Sequence, residues 1–209
     1  MARRNITILW PILWHATAAS LRTRPNWRRW RNRRPPAAPC KQDARQQRQG
    51  GGQQFLDAGR AVIVLDDMST GSPLLLPEGA LFVKGKAGDR TLVERLVQSH
   101  GIEAVVHLAA SISVEESVSD PALYYRNNLA ETVALAEAAA SGGIKAMIFS
   151  STAAVYGEGA GTCHEDDPIA AINPYGRSKA MAEMALKDIA AATGIGVGIL
   201  RYFNAAGAD

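Results

Sequence analysis

From residue 55 onward, short apolar runs alternate with segments of helical period. The runs carry apolar residues at consecutive positions, which is typical of strands buried on both faces of a sheet. They occupy residues 61–65, 81–83, 104–108, 146–149 and 197–202. Strands that alternate with helices predict an α/β fold, a doubly wound parallel sheet of Rossmann-like type with helices on both faces.

Glycines mark the ends of the predicted helices. A helix that begins before residue 55 ends at Gly59, and a helix over residues 90–100 ends at Gly101. Another helix is predicted between residues 121 and 141. The last begins at Pro174, because proline is favoured in the first turn, and continues to Gly194.

The candidate site residues of this region follow predicted strands. In a doubly wound sheet, ligands bind beyond the carboxyl ends of the strands. Asp66, Ala109, residues 150–152 and residues 202–204 should therefore share one rim, with Tyr175 brought close by its helix.

The position of Asp66 allows two interpretations, a cofactor contact or the start of a turn. An acid at the end of a buried strand can accept a hydrogen bond from an adenosine ribose hydroxyl, which favours NAD over NADP. Alternatively, Asp66 and Asp67 begin a turn before Ser69, Thr70 and Gly71.

Tyr175 and Lys179 lie four residues apart, one turn along the helix that begins at Pro174. An ammonium beside a phenol stabilises the phenolate and lowers the phenol pKa from roughly 10, as a base that deprotonates an alcohol requires. The competing reading is that both side chains merely extend from a helix surface towards water.

Charge is divided unevenly along the chain. Residues 1–50 hold 12 of the 23 Lys and Arg residues but one of the 20 acids, so a basic head precedes an acidic body. The head has no sustained period, which predicts disorder or a non-native segment. A secretory signal and a nucleic-acid-binding arm are the alternative interpretations, and no other part of the chain indicates a nucleic-acid partner.

The two cysteines, Cys40 and Cys163, show neither a disulfide framework nor a zinc-ligand spacing, so no metal is expected. His107 lies in an apolar run and is interpreted as a core residue rather than a ligand. No apolar run of the body is long enough to cross a bilayer. A cytoplasmic location is expected.

Seven motifs occur in order from residue 55 onward. They are Leu-Asp-Asp-Met-Ser-Thr-Gly (65–71), His-Leu-Ala-Ala (107–110), Glu-Ser-Val (116–118), Tyr-Tyr-Arg-Asn-Asn (124–128), Phe-Ser-Ser-Thr-Ala-Ala-Val-Tyr-Gly (149–157), Asn-Pro-Tyr-Gly-Arg-Ser-Lys (173–179) and Leu-Arg-Tyr-Phe-Asn (200–204). Together they resemble the extended short-chain dehydrogenase/reductase family, and within it the UDP-glucose 4-epimerases. The sugar-nucleotide dehydratases of that family carry Asp-Glu after the threonine, where this chain has Ala153 and Ala154.

The resemblance implies interconversion of UDP-glucose and UDP-galactose through a 4-keto intermediate, with NAD tightly bound. Tyr175, supported by Lys179, would be the base, and Thr152 would bind the same sugar oxygen. The resemblance further implies a homodimer. It implies contacts with the cofactor from Asp66, Asp67, Leu108, Ala109, Ala110, Asn127, Ser150, Tyr175, Lys179 and Phe203, and contacts with the substrate from Thr152, Tyr175 and Asn204.

The first 52 residues depart from the family pattern. Its glycine-rich phosphate loop would fall near residues 42–48, which contain no glycine. Residues 6–10 could replace the first strand only across a connection of about forty residues, which is unusual. We therefore expect the first strand and the loop to be missing, and residues 53–209 to form an incomplete NAD-binding domain without the substrate-binding C-terminal part.

Two further departures concern the cofactor contacts. Ile112 stands where the family often has lysine, and Lys86 stands where an acid commonly meets the adenine. The alternatives to a UDP-glucose 4-epimerase are a non-catalytic remnant of such an enzyme and another NAD-dependent nucleotide-sugar epimerase.

Overall fold

The computed structural model describes residues 5–9, 52–158 and 162–203. Their strands form one parallel sheet in the order β3-β2-β1-β4-β5-β6. The strands are β1 (Asn5–Leu9), β2 (Ala61–Asp66), β3 (Leu81–Lys84), β4 (Ile102–His107), β5 (Ala146–Thr152) and β6 (Gly196–Tyr202). The predicted doubly wound parallel sheet is confirmed.

The helices that end at predicted glycines are α1 (52–57), α2 (Arg90–His100) and α6 (Pro174–Thr193). The region predicted as one helix between residues 121 and 141 is divided into α4 (Pro121–Tyr124), a π-helical turn (Tyr125–Ala130) and α5 (Glu131–Ser141). A short helix that the periodicity did not predict, α3 (Val114–Ser119), precedes them.

The expectation that the first strand is missing is wrong. β1 pairs in parallel with β2, from Asn5 opposite Ala61 to Leu9 opposite Leu65, and on its other side Leu9 lies opposite His107 of β4. The sequence of β1 is Asn-Ile-Thr-Ile-Leu, in which β-branched residues favour a strand. The entropy cost of a long connection grows only slowly with its length, so a distant segment can take the central position.

Both faces of the sheet are buried, which explains the apolar runs. On one face, Ile63 and Leu65 of β2 join a core with Phe149 of β5 and with residues of α2, α5 and α6. On the other face, Val62 and Val64 pack against Phe55, Leu56, Leu76 and Phe82.

β1 lies at the centre of the sheet, with β2 on one side and β4 on the other. After β1 the chain continues to β2 on one side, and after β4 it continues to β5 on the other side. The connections that leave the adjacent strands β1 and β4 therefore run in opposite directions. Such a divergence opens a crevice at the carboxyl edge of the sheet, where doubly wound folds bind ligands.

Candidate functional site

A cleft of about 380 Å³ opens at the carboxyl ends of β2, β3 and β4. Among the residues that line it, five belong to the predicted cofactor site, namely Asp66, Asp67, Ala109, Ala110 and Asn127. Lys86 and Ile112, the two departures from the family pattern, line the same cleft. The structure therefore brings together segments that are separated by up to about sixty residues in the chain.

Asp66 ends β2 with only 6% of its surface exposed. Its Oδ1 accepts a hydrogen bond from the Met68 amide at 2.6 Å, and Asp67 Oδ1 accepts one from the Ser69 amide at 2.8 Å. Burial raises the pKa of the Asp66 carboxyl, while the bond from Met68 acts in the opposite direction. The turn that the sequence allowed is therefore present, and it holds the carboxylate at the rim of the cleft.

The π-helical turn directs two asparagines at the segment that follows β4. Asn127 Nδ2 donates to Ser111 Oγ at 3.1 Å. The buried Asn128 side chain accepts from the Ser111 amide at 2.8 Å and donates to Ser178 Oγ of α6 at 3.1 Å. Such π-helical turns, which contain one extra residue, are frequent at functional sites, and this one connects the cleft wall to α6.

Leu108, another predicted cofactor contact, is partly buried and packs with Val62 and Val64.

His107 is fully buried at the end of β4, as the core interpretation predicted. Its Nε2 lies 2.8 Å from Thr132 Oγ1, and its Nδ1 has no hydrogen-bond partner. Burial, with a smaller contribution from Lys179, lowers the pKa of His107 to about 3. His107 is therefore neutral near pH 7, and it also lines the cleft.

Three local features fix the start of α6. Asn173 Oδ1 accepts from the Gly176 amide at 2.8 Å, which caps the helix, and Pro174 occupies its first turn. A Cβ on Gly176 would lie 2.6 Å from the Ala154 carbonyl oxygen, so this position needs glycine for the helix to approach the end of β5. Tyr175 is thereby held at the β5 end.

Tyr175 shows a pKa shift opposite to the one expected from its spacing to Lys179. Burial raises the pKa of the Tyr175 phenol, and its hydrogen bond with Thr152 opposes that shift. The same bond unites two of the three predicted catalytic residues.

Lys179, the third, is 2% exposed. Its Nζ donates to the Ser150 carbonyl oxygen at 2.7 Å and lies 4.7 Å from the centroid of the Phe149 ring. Burial lowers the pKa of Lys179 to about 7, and Glu183 acts in the opposite direction. Lys179 is therefore anchored in the protein interior, and the reading in which it extends into water is wrong.

Tyr124 is a residue of the site to which sequence reasoning gave no role. It is fully buried, its ring meets that of Tyr175 edge-on at 6.3 Å between centroids, and its hydroxyl donates to Glu116 Oε2 at 2.7 Å. Glu116 lines the cleft, so this contact connects the cleft with Tyr175. Tyr124 is the first residue of the Tyr-Tyr-Arg-Asn-Asn motif, so the motif did mark it as a candidate. Its contact with Tyr175 could not be predicted, because the two residues lie on different helices that no sequence pattern relates.

Phe203 lies apart from these residues. It is 64% exposed and lines a second cavity, of about 480 Å³, together with Arg201, Tyr202 and Cys163. Asn204 and the expected phosphate-loop region, residues 42–48, lie outside the described residues.

Within the three described ranges, no cluster of His, Cys, Asp and Glu side chains is arranged to hold a metal ion. Within the same ranges, every helix is too short or too polar to cross a bilayer.

Residues 53–209 match the model of the NAD dependent epimerase/dehydratase family. Among curated proteins, the chain is 46% identical over 154 residues to a UDP-glucose 4-epimerase of Azospirillum brasilense, which covers 73% of this chain and 44% of that protein.

Solved structures give the same result. The UDP-glucose 4-epimerase of Brucella ovis, in complex with NAD, is 40% identical with a TM-score of 0.72, and the match covers 76% of this chain and 49% of that one. The Thermotoga maritima UDP-glucose 4-epimerase with UDP-glucose is 36% identical with a TM-score of 0.68, covering 71% and 49%. The chain thus spans about half the length of these relatives.

Proposed function

The chain belongs to the NAD dependent epimerase/dehydratase family, and we propose that it carries the cofactor-binding and acid–base residues of a UDP-glucose 4-epimerase. The observation that carries this proposal is the grouping of Thr152, Tyr175 and Lys179 at the end of β5. An alcohol oxygen that approached Thr152 would meet a phenol able to exchange a proton with it, supported by a buried amine.

The described residues fit NAD at the wall of the cleft. Asp66 Oδ1 already accepts from Met68, which leaves Oδ2 for a ribose hydroxyl. A Cβ on Gly71 would lie 3.2 Å from both Asp66 oxygens, so glycine leaves that side of the carboxylate open. The small side chains of Ala109 and Ala110 permit close approach to the backbone after β4. We propose Asp67, Leu108, Asn127 and Ser150 as further cofactor contacts beside Asp66, Ala109 and Ala110. Phe203 lines the second cavity, so its contact with the cofactor stays a prediction from the resemblance.

The chemistry that bound NAD would supply is reversible hydride transfer at the sugar carbon. The role that we propose for this chain is to move and hold protons. Tyr175 would take the proton of the sugar 4-hydroxyl, Thr152 would hydrogen-bond the same oxygen, and Lys179 would favour the ionised phenol in its cationic form. Asn204, which lies outside the described residues, is the proposed further substrate contact.

The segment after Thr152 supports epimerisation over elimination of water. Residues Ala153–Tyr156 form a 3-10 turn, in which Thr152 Oγ1 accepts from the Ala154 amide at 3.1 Å. Ala153 and Ala154 present only methyl groups there, and elimination needs an acid and a base. Epimerisation is therefore the proposed reaction, and the likeness to UDP-glucose 4-epimerases supports UDP-glucose and UDP-galactose as the proposed substrates.

A homodimer is the proposed assembly. Met181 and Met184 lie on α6 with 47% and 59% of their surfaces exposed, and α3, which packs against α6, exposes Val114 and Val118. Exposed apolar residues on two neighbouring helices suit association with a second copy. We propose a cytoplasmic location, where NAD and nucleotide sugars are available.

A non-catalytic remnant is the second candidate. Residues 1–49 contain no glycine, so the glycine-rich phosphate loop of the family is absent from the chain. Such a protein would keep the fold and the motif residues but would retain no cofactor.

The proposal is tested by purifying the full chain, analysing the nucleotide released on denaturation, and following conversion of UDP-galactose to UDP-glucose. Bound NAD with conversion that Tyr175→Phe abolishes supports the proposal. Tyr125→Phe is the matched control and should leave conversion unchanged. Bound NAD without conversion limits the role to cofactor binding, and a protein with neither is the remnant.

A further inference from the structure

Glu183 is a fully buried carboxylate on α6, one turn beyond Lys179 and two turns beyond Tyr175. A buried charge needs a partner of opposite sign and hydrogen bonds to its remaining lone pairs. Arg201 of β6 supplies the charge, with Nη2 at 2.7 Å from Glu183 Oε2 and Nε at 3.1 Å from both carboxylate oxygens. The hydroxyl of Ser151 donates the further bond.

Arg201 is fixed from its other side as well. Its Nη1 donates to the Tyr156 hydroxyl at 2.8 Å and to the Glu165 carbonyl oxygen at 3.0 Å. The guanidinium also lies 4.9 Å from the centroid of the Tyr156 ring. The planar guanidinium thus joins β6, the turn after β5 and the segment around residue 165, which leaves Glu183 little freedom to move.

The end of β5 engages α6 through three consecutive residues. The Ser150 carbonyl accepts from Lys179, the Ser151 hydroxyl donates to Glu183, and Thr152 hydrogen-bonds Tyr175. The three α6 side chains lie on one face because they are spaced by four residues. Displacement of Glu183 would therefore also shift Tyr175 and Lys179, which lie on the same face of α6, relative to β5.

The charged and titratable groups around Lys179 come from three elements. Glu183 and Tyr175 flank it on α6, His107 faces it from β4, and Arg201 of β6 partly neutralises Glu183. His107 is neutral near pH 7, since its pKa is lowered to about 3. Glu183 is thus the anion in electrostatic contact with Lys179 among the described residues.

We infer that Glu183, held by Ser151 and Arg201, is a positioning residue that fixes the register of α6 on β5 and places an anion one helical turn from Lys179. The inference rests on the proposed function for the roles of Tyr175 and Lys179. A carboxylate that is merely structural would stabilise the fold without controlling the ionisation of Lys179.

The test is a pH titration of the full chain labelled with ¹⁵N-lysine, followed by NMR of the side-chain nitrogens. The chain has six lysines, at positions 41, 84, 86, 145, 179 and 187, and Lys179→Met identifies the signal of Lys179. Neither cofactor nor turnover is needed, so failure of this inference and failure of the proposed function are separate results.

The variants should shift the Lys179 titration in opposite directions. Glu183→Gln removes the anion and should lower the midpoint by about one pH unit. Arg201→Gln leaves the anion uncompensated and should raise it, and Ser151→Ala should raise it by a smaller amount. Arg201→Lys keeps the charge but not the bidentate and stacked contacts, so its midpoint should lie between those of the original chain and Arg201→Gln.

The matched controls are Glu94→Gln, in the exposed Arg90–Glu94 ion pair of α2, and Ser99→Ala, whose hydroxyl bonds the Arg95 carbonyl. Both should leave the Lys179 midpoint unchanged. An unchanged midpoint in folded Glu183→Gln, or shifts of the same sign in Glu183→Gln and Arg201→Gln, would overturn the inference. Ser151→Ala removes only one hydroxyl, and its midpoint decides the matter if both charge variants fail to fold: a rise supports the inference and no change refutes it.

Discussion

The Thr132 hydroxyl links β4 to α5 by bonding His107 Nε2 at 2.8 Å and the Asn128 carbonyl oxygen at 2.8 Å. A hydroxyl has one proton, and the carbonyl can only accept it. Thr132 must therefore accept from His107, which assigns the proton to Nε2 and leaves Nδ1 as the acceptor without a partner. Burial keeps this imidazole neutral, and the tautomer gives its single N–H an acceptor in the core.

Thr132→Val is expected to destabilise the protein by about 1–3 kcal/mol, because it leaves a buried imidazole N–H without an acceptor. Thr193→Val is the matched control. The Thr193 hydroxyl also bonds a helix carbonyl, that of Ile189 at 2.7 Å, but it is exposed, so its loss should cost less than about 0.5 kcal/mol. Urea unfolding measures both values, and equal losses would contradict the assignment.

The lowered pKa of His107 predicts that the folded protein loses stability in acid. Its pKa is about 3 in the folded protein and about 6.5 in the unfolded chain, so the unfolded chain binds more protons between these values. Stability should fall as pH decreases through 6.5, by about 2 kcal/mol at pH 5 from this residue. In His107→Gln, unfolding free energies at pH 7 and pH 5 should differ less than in the original chain, and an equal difference would refute the prediction.

The lowered pKa of Lys179 predicts that stability also changes with pH in the alkaline range. Its pKa is about 7 in the folded protein and 10.5 in the unfolded chain, so the unfolded chain again binds more protons. The stability of the original chain relative to Lys179→Met should rise between pH 7 and pH 10, by up to about 1.4 kcal/mol for each pH unit. Unfolding curves at intervals of one pH unit measure the difference, and parallel profiles for the two proteins would contradict a depressed pKa.

Asn173 couples helix capping to the position of Tyr175. Asn173→Ala should cost about 1 kcal/mol and accelerate hydrogen exchange at the Gly176 amide, which loses its acceptor. Asn173→Ser should restore most of the stability. Asp89→Ala removes the equivalent cap of α2, where Asp89 Oδ1 accepts from Leu92, and should leave exchange at Gly176 unchanged.

Asp66 tests the proposed cofactor site. Asp66→Asn still accepts the Met68 bond but loses the charged acceptor for a ribose hydroxyl, so the affinity for NAD should fall by a factor of about ten. Asp57→Asn, an exposed change on α1, is the control. Calorimetric titration gives both affinities, and equal values would remove Asp66 from the site.

The apolar runs predicted the sheet because each buried strand had to be apolar on both faces, as Ile63 and Val64 are. The same rule could not locate β1, since its place depends on pairing with β2 and β4 rather than on neighbours in sequence. Nor could helical periodicity find the π-helical turn, where the extra residue is stabilised by the tertiary contacts of Asn127 and Asn128 with Ser111.

The site was predicted in part. The four-residue spacing of Tyr175 and Lys179 predicted that they share one face of a helix. The principle that ligands bind beyond the carboxyl ends of parallel strands predicted that Asp66 and Ala109 belong to the site. Spacing could not reveal that the nearest partner of Lys179 is a backbone carbonyl, or that burial raises the Tyr175 pKa, because both depend on how deeply α6 enters the fold.

β1 is the strand through which the β2–β3 pair and the β4–β5–β6 group are hydrogen-bonded to each other. Five residues therefore carry the continuity of the sheet, although apolar packing of Leu65 and Phe149 also joins the two sides. If β1 detached, each group would keep its own internal ladder while losing its hydrogen bonds to the other group. Amides of β2 and β4 that face β1 should then exchange before those between β5 and β6, so the cooperativity of unfolding would depend on residues 5–9.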